Sequence, residues 1–274
     1  PSPSSSPSPT PSPSSRRRRT AEWVLLAGGD GRVVGGRVGA PGTGRERVEL
    51  SVLGETLRAS ATSFVQAHEE LRESLAARVL SHACLALEEA SEAPEPTPTP
   101  PPCPTPTRFA ELYAGIGFFT LPLARRGLSG MALESDRAAL ADLRANLGRA
   151  GLADRVEVLG GRVERRKDLA KRLARADVLI VDPPRTGLGR PVREAIAQAA
   201  PRRIVYVSCD PATLARDLRF LVETGGYRLA DLRGFDLFPQ TPHVETVVRL
   251  ERARPDSGPG PGPESGPGPG SRSR

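Results

Sequence analysis

The chain has 274 residues and a formal net charge of +7, long enough to bury the core of one large domain or two small ones. Arg16–Arg19 carry four of those charges and residues 251–274 a net of one, which leaves about +2 for the body, a weak nucleic-acid signal. No apolar run approaches the roughly 20 residues of a membrane span, and three scattered cysteines (Cys84, Cys103, Cys209) without a CxxC pair suggest no disulfide framework and a reducing, intracellular compartment.

Residues 1–20 form a Ser/Pro/Arg tail with too little apolar surface to order itself. The chain begins at Pro1 rather than Met, as a fragment or a processed product would. The acid-free start has a faint likeness to an organelle transit peptide, though no amphipathic stretch supports that. Over 21–90, "WVLLAGGDGRVVGG" and "VELSVLGETLRAS" each predict two short strands around a glycine turn. A helix over about 67–89 follows, with Leu71, Leu75, Val79 and Leu87 on one face. Residues 91–107 are a Pro-rich linker holding an inert Cys103, and 251–274 are a Gly/Pro tail.

From Arg108 to residue 250 strands and helices alternate. Strands are expected at 109–113, 130–134, 155–158, 177–181, 203–208, 227–233 and 244–250. This pattern predicts an α/β fold with a doubly wound, mostly parallel seven-stranded sheet. The last two strands have no helix between them, so one of them should run antiparallel. In such sheets ligands bind beyond the carboxyl ends of the strands.

The first of these ends reads "ELYAGIGFFTLPLA", with Gly115 and Gly117 in a strand-to-helix turn that lets the backbone approach a ligand. Thr120 stands where a dinucleotide fingerprint has its third glycine. The next strand ends in Glu134, which is either a solvated carboxylate or an acceptor for ribose hydroxyls. A nucleoside lacking a pyrophosphate fits both features, and S-adenosylmethionine is such a ligand. "VDPPRTGL" aims Asp182 at the same crevice from a loop stiffened by Pro183 and Pro184. Cys209 ends the fifth strand in "YVSCDPATLARDL". Alone it would be a small buried hydrophobe. As a thiolate it could add to C6 of a uracil and make C5 nucleophilic, and Glu245 in "FPQTPHVETVV" could then take the C5 proton.

At these residues, from about 56 to 250, the chain resembles the RNA uracil-C5 methyltransferases, S-adenosylmethionine-dependent enzymes that make 5-methyluridine in transfer or ribosomal RNA. "SATSFVQ", "ELYAGIGFFTLPLA", "ALESD", "DPPRTGL", "VSCDPATLARDL" and "FPQTPHVETVV" occur in the family's order. The resemblance implies that Cys209 is the nucleophile and Glu245 the proton acceptor. It also implies that Gln66, Tyr113, Glu134 and Asp182 contact the cofactor beside Gly115 and Gly117. No metal or iron–sulfur cluster is expected, and the partner would be an RNA met by a cytoplasmic monomer, an organelle being the alternative. His243 would shape the base-side loop. Asp210 replaces the usual Asn after the nucleophile, Phe118 replaces a polar residue after the glycine turn, and no OB-like barrel is visible. Two rivals stay open: a methyltransferase of another substrate, and an inactive RNA-binding fragment.

Overall fold

A computed structural model describes residues 23–27, 33–37, 47–60, 63, 69–84, 107–236 and 244–253. Gln66 and His243 lie outside these residues, as do both tails and most of the Pro-rich linker. The two early hairpins form as expected. β1 (Trp23–Ala27) pairs with β2 (Val33–Arg37), and β3 (Arg47–Val52) pairs with β4 (Glu55–Ser60), both antiparallel. The second hairpin turns on Leu53 and Gly54, both at positive φ, the twist that two-residue hairpin turns favour. Helix α1 spans Glu69–Cys84 and buries Leu75 and Val79.

The remaining elements alternate. They are β5 (Arg108–Leu112), α2 (Thr120–Arg125), β6 (Ser129–Glu134), α3 (Arg137–Arg149), β7 (Val156–Gly160) and α4 (Leu169–Leu173). Then come β8 (Val178–Val181), α5 (Arg190–Ala199), β9 (Arg203–Ser208), α6 (Pro211–Glu223), β10 (Tyr227–Phe235) and β11 (Glu245–Arg252). The sheet order is β7-β6-β5-β8-β9-β11-β10. Only β11 runs against its neighbours, inserted between β9 and β10. Central strands such as Val178–Val181 are apolar throughout because helices cover both faces. One face packs against α1, α2, α3 and the β3–β4 hairpin through residues such as Leu75, Leu121 and Leu143. The other packs against α4, α5 and α6 through Leu173, Ile196 and Leu214.

The hairpin is tied to α3 by polar side chains buried on that helix's apolar stripe. Asp142 accepts from the Ser60 amide at 2.7 Å and from the hydroxyls of Ser60 and Ser63 at 2.9 and 2.8 Å. One turn on, Asn146 accepts from Arg58 N, and its Nδ2 donates to Arg58 O and to Ile116 O. Asn146 therefore links the hairpin backbone to the glycine turn.

Cys84, the last residue of α1, is disulfide-bonded, contrary to the reading of the cysteines as unbridged. No motif announces such a bridge, because it needs thiols close in space rather than close in sequence.

Candidate active site

The site lies along the carboxyl ends of β5, β6, β8 and β9. β5 runs out through Tyr113, whose φ of +64° is uncommon for a residue with a side chain, into Gly115 (+55°) and Gly117 (+94°). Gly117 is required, since a Cβ there would sit 2.6 Å from Leu143 Cδ1. At Gly115 a Cβ would meet nothing within 4 Å, so this side of the turn is open. The Tyr113 hydroxyl donates to Glu164 Oε1 at 2.9 Å, and burial raises its pKa above the ordinary phenol range.

Glu134 ends β6 and braces the turn. Its Oε2 accepts from Gly115 N at 2.8 Å, and its Oε1 accepts from Ser135 N and Asp136 N, both at 2.6 Å. A carboxylate has about four acceptor positions. The Gly115 amide takes one on Oε2, while Oε1 takes the Ser135 and Asp136 amides and a longer bond from Ser135 Oγ at 3.4 Å, so the open position is on Oε2. Beneath the turn, Glu111 is buried in β5 and accepts from the Thr120 hydroxyl. Burial pushes its carboxyl up to about 8.

Asp182 follows β8. Burial, with Glu245 and Glu111 nearby, raises its carboxyl well above the usual range. Cys209 stands one strand further, between Ser208 and Asp210. The Ser208 hydroxyl donates to Asp210 O at 3.1 Å and accepts from Asp210 N at 3.2 Å, a tight turn with the thiol at its tip. Asp210 then caps α6, its Oδ1 accepting from Thr213 N at 2.8 Å. An acid suits that helix start, so the departure from Asn preserves the local structure.

Glu245 reaches the same spot because of strand register. The β9–β11 ladder ends at Thr246 and Ser208, so Glu245 opens β11 where the chain leaves β9 for Cys209. Burial raises the Cys209 thiol, Glu245 and Asp182 raise it further, and Arg185 of the DPPR loop opposes them. Cys209 is partly exposed, whereas Glu245 is buried.

A clamp that sequence reasoning missed holds the DPPR loop to α6. Asp217 is fully buried. Its Oδ2 accepts from Leu188 N at 2.7 Å and from Tyr206 OH at 2.8 Å, while Oδ1 accepts from Arg193 and Arg216. Thr213 Oγ1 adds a bond to Arg185 O at 3.0 Å. Gly187 has φ +70°, and a Cβ there would lie 2.5 Å from Asp217 Oδ2. The overlooked signal was an acid on an apolar stripe, between Leu214 and Leu221. Asp142 and Asn146 sit likewise among Ala139, Leu143 and Leu147.

Of the predicted residues, the structure brings Cys209, Glu245 and Asp182 into electrostatic contact and joins Gly115 to Glu134. Tyr113 stands at the end of the same strand, β5, that leads into this turn. Phe118 stacks edge-on against Phe119 with ring centroids 4.9 Å apart. Among the described residues no cluster of His, Cys, Asp and Glu could hold a metal ion, and no helix is long and apolar enough to cross a membrane.

The strand order, the single antiparallel strand and the glycine turn facing a strand-end acid define the class I S-adenosylmethionine-dependent methyltransferase fold. Within that class, the tRNA (uracil-5-)-methyltransferase family model matches residues 106–253, and the chain belongs to that family. It is 41% identical over 145 residues to a 23S rRNA (uracil(1939)-C(5))-methyltransferase RlmD of Thiobacillus denitrificans, covering 53% of this chain and 34% of the relative. An uncharacterized RNA methyltransferase of Aquifex aeolicus is 33% identical over 231 residues, 84% of this chain and 49% of the relative. The crystal structure of Pyrococcus abyssi tRNA (uracil-54, C5)-methyltransferase in complex with S-adenosyl-L-homocysteine superposes with a TM-score of 0.60 at 26% identity, over 75% of this chain and 44% of that one. The chain thus spans between about a third and a half of the length of these relatives.

Proposed function

We propose that this protein methylates C5 of a uridine in transfer or ribosomal RNA, with Cys209 as nucleophile and Glu245 as base. The observation that supports the reading is that Glu245 and Asp182 lie close enough to Cys209 to act on its thiol, where β9 and β11 end their ladder at Ser208 and Thr246. S-adenosylmethionine, bound over the glycine turn and Glu134, supplies an electrophilic methyl group. Gly115, Gly117, Tyr113 and Asp182 complete its contacts, with Gln66 as a further one. Cys209 adds to C6 as the thiolate, and the C5–C6 π electrons move onto the C4 carbonyl oxygen as an enolate. C5 then takes the methyl group, and the S–CH3 bonding pair stays with sulfur. Glu245 removes the C5 proton, the C5=C6 bond re-forms, and the thiolate leaves.

Burial, Glu245 and Asp182 raise the thiol above its ordinary range, and Arg185 opposes them. The target uridine must be unstacked for C6 to reach Cys209. The protein acts as a cytoplasmic monomer in this reading.

The two catalytic residues should fail differently. Cys209→Ala should form neither product nor covalent complex. Glu245→Gln should accumulate a denaturant-resistant, already methylated RNA–protein adduct and lose on the order of 10²–10⁴ in turnover. A denaturing gel with labelled RNA, and nucleoside mass spectrometry of the product, read both outcomes. Continued 5-methyluridine formation by Cys209→Ala would overturn the mechanism.

A further inference from the structure

The body's small net charge hides an uneven distribution at the site. After β7 the chain runs "GGRVERRKD" (160–168) along the same carboxyl-end rim that carries Tyr113 and the DPPR loop. Its inward residues fix it there. Val163 is buried with Leu188 and Val192, and Glu164 accepts from the Tyr113 hydroxyl. Glu164 Cγ also lies 3.3 Å from the Cβ position of Gly189, just past the DPPR loop. The segment therefore bridges the cofactor turn and the loop that carries Asp182 and Arg185.

Its outward residues are Arg162, Arg165 and Lys167, all exposed, and Arg185 of the DPPR loop is exposed as well. None of the four makes an ion pair among the described residues. Glu164 faces the Tyr113 hydroxyl and Asp168 is paired with Arg172 and Arg166. Exposed arginines elsewhere are matched in some places, as in Arg190–Glu194 and Arg58–Glu49, and in others, such as Arg137 and Arg202, make no ion pair among the described residues. What sets this segment apart is its place beside the candidate site, where cations raise the local potential and attract a polyanion.

We infer that Arg162, Arg165 and Lys167 form a phosphate-binding rim that receives the strand of RNA flanking the target nucleotide. This rests on the proposed RNA substrate and extends it to a surface. Phosphate contacts fix register without reading bases. The rim accordingly positions any single-stranded segment, while the pocket at Cys209 selects the base.

The test is the full-length chain carrying Arg162→Gln, Arg165→Gln and Lys167→Gln, three exposed positions where folding is not at stake. Affinity for a uridine-containing single-stranded RNA is measured by fluorescence anisotropy between 50 and 200 mM salt, alongside calorimetry with S-adenosylmethionine. Each released counterion on a single strand contributes about 0.7 to the slope of log affinity against log salt. The triple variant should therefore flatten that slope by about 2 and bind RNA at least tenfold more weakly at low salt. Its cofactor affinity should be unchanged. A slope equal to the parent's removes the rim and leaves the proposed reaction standing. A parent chain that binds no RNA in a salt-dependent way overturns both.

Discussion

Replacing Asp217 by Asn tests whether the clamp between α6 and the DPPR loop holds the site together. The two oxygens serve different partners. Oδ2 faces Leu188 N and the Tyr206 hydroxyl, both buried, and Oδ1 faces Arg193 and Arg216. An amide keeps one acceptor, so its NH2 must confront one of these donor pairs. Turning the NH2 toward the arginines is cheaper, because the Arg216 side chain is 47% exposed and can move to water. Arg193, at 16%, would lose its charged partner and keep only its stacking over Phe220 at 5.3 Å. Orphaning about one buried donor and weakening a second costs roughly 2–4 kcal/mol. Urea unfolding followed by circular dichroism measures it, and alkylation of Cys209 by iodoacetamide across pH reads the site. With the loop released, Arg185 no longer opposes the carboxylates, so the alkylation profile should move to higher pH. Gly187→Ala, which pushes on the same oxygen, should do likewise. A stability change below about 0.5 kcal/mol, the scatter of surface substitutions, with an unmoved profile would refute the clamp.

Two further outcomes concern carboxylates. Glu111 is raised to about 8 in the folded chain. The stability it contributes is complete below the ordinary carboxyl range and is lost as pH rises through about 8, at up to about 1.4 kcal/mol per pH unit. Glu111→Gln keeps an acceptor for Thr120 and removes the titration, so its urea midpoint should hold between pH 5 and 8 where the parent's falls; parallel curves would contradict this. Glu134→Ala removes both the proposed ribose acceptor and the brace on Gly115, and should weaken S-adenosylmethionine binding by roughly 1.5–3 kcal/mol. Calorimetry showing parental affinity in a folded variant would take Glu134 out of the site.

Much of the sheet was legible because its central strands are short apolar or β-branched runs, so Val178–Val181 and Arg203–Ser208 fall where expected. The antiparallel member could be foreseen but not assigned, since strand direction depends on pairing that connection length alone leaves open. The residues proposed for the site were legible where a motif concentrates them, at Cys209, Asp182 and the glycine turn. What stayed hidden were side chains whose work is defined only in three dimensions. Asp142, Asn146 and Asp217 look like blemishes in amphipathic helices until their backbone partners from distant segments are seen. Glu134 was legible as a strand-end acid, but its three backbone donors were not.

The insertion of β11 has a consequence for synthesis. β11 is the last described strand in sequence, yet it occupies an interior place in the sheet. Until residues 245–252 have left the ribosome, β9 has an open edge and β10 has no partner. Because the segment that closes the sheet also delivers Glu245, the edge is sealed and the residue proposed as the base arrives in one event; on the proposed mechanism, a chain stopped short of it would hold the nucleophile without the group that releases the adduct.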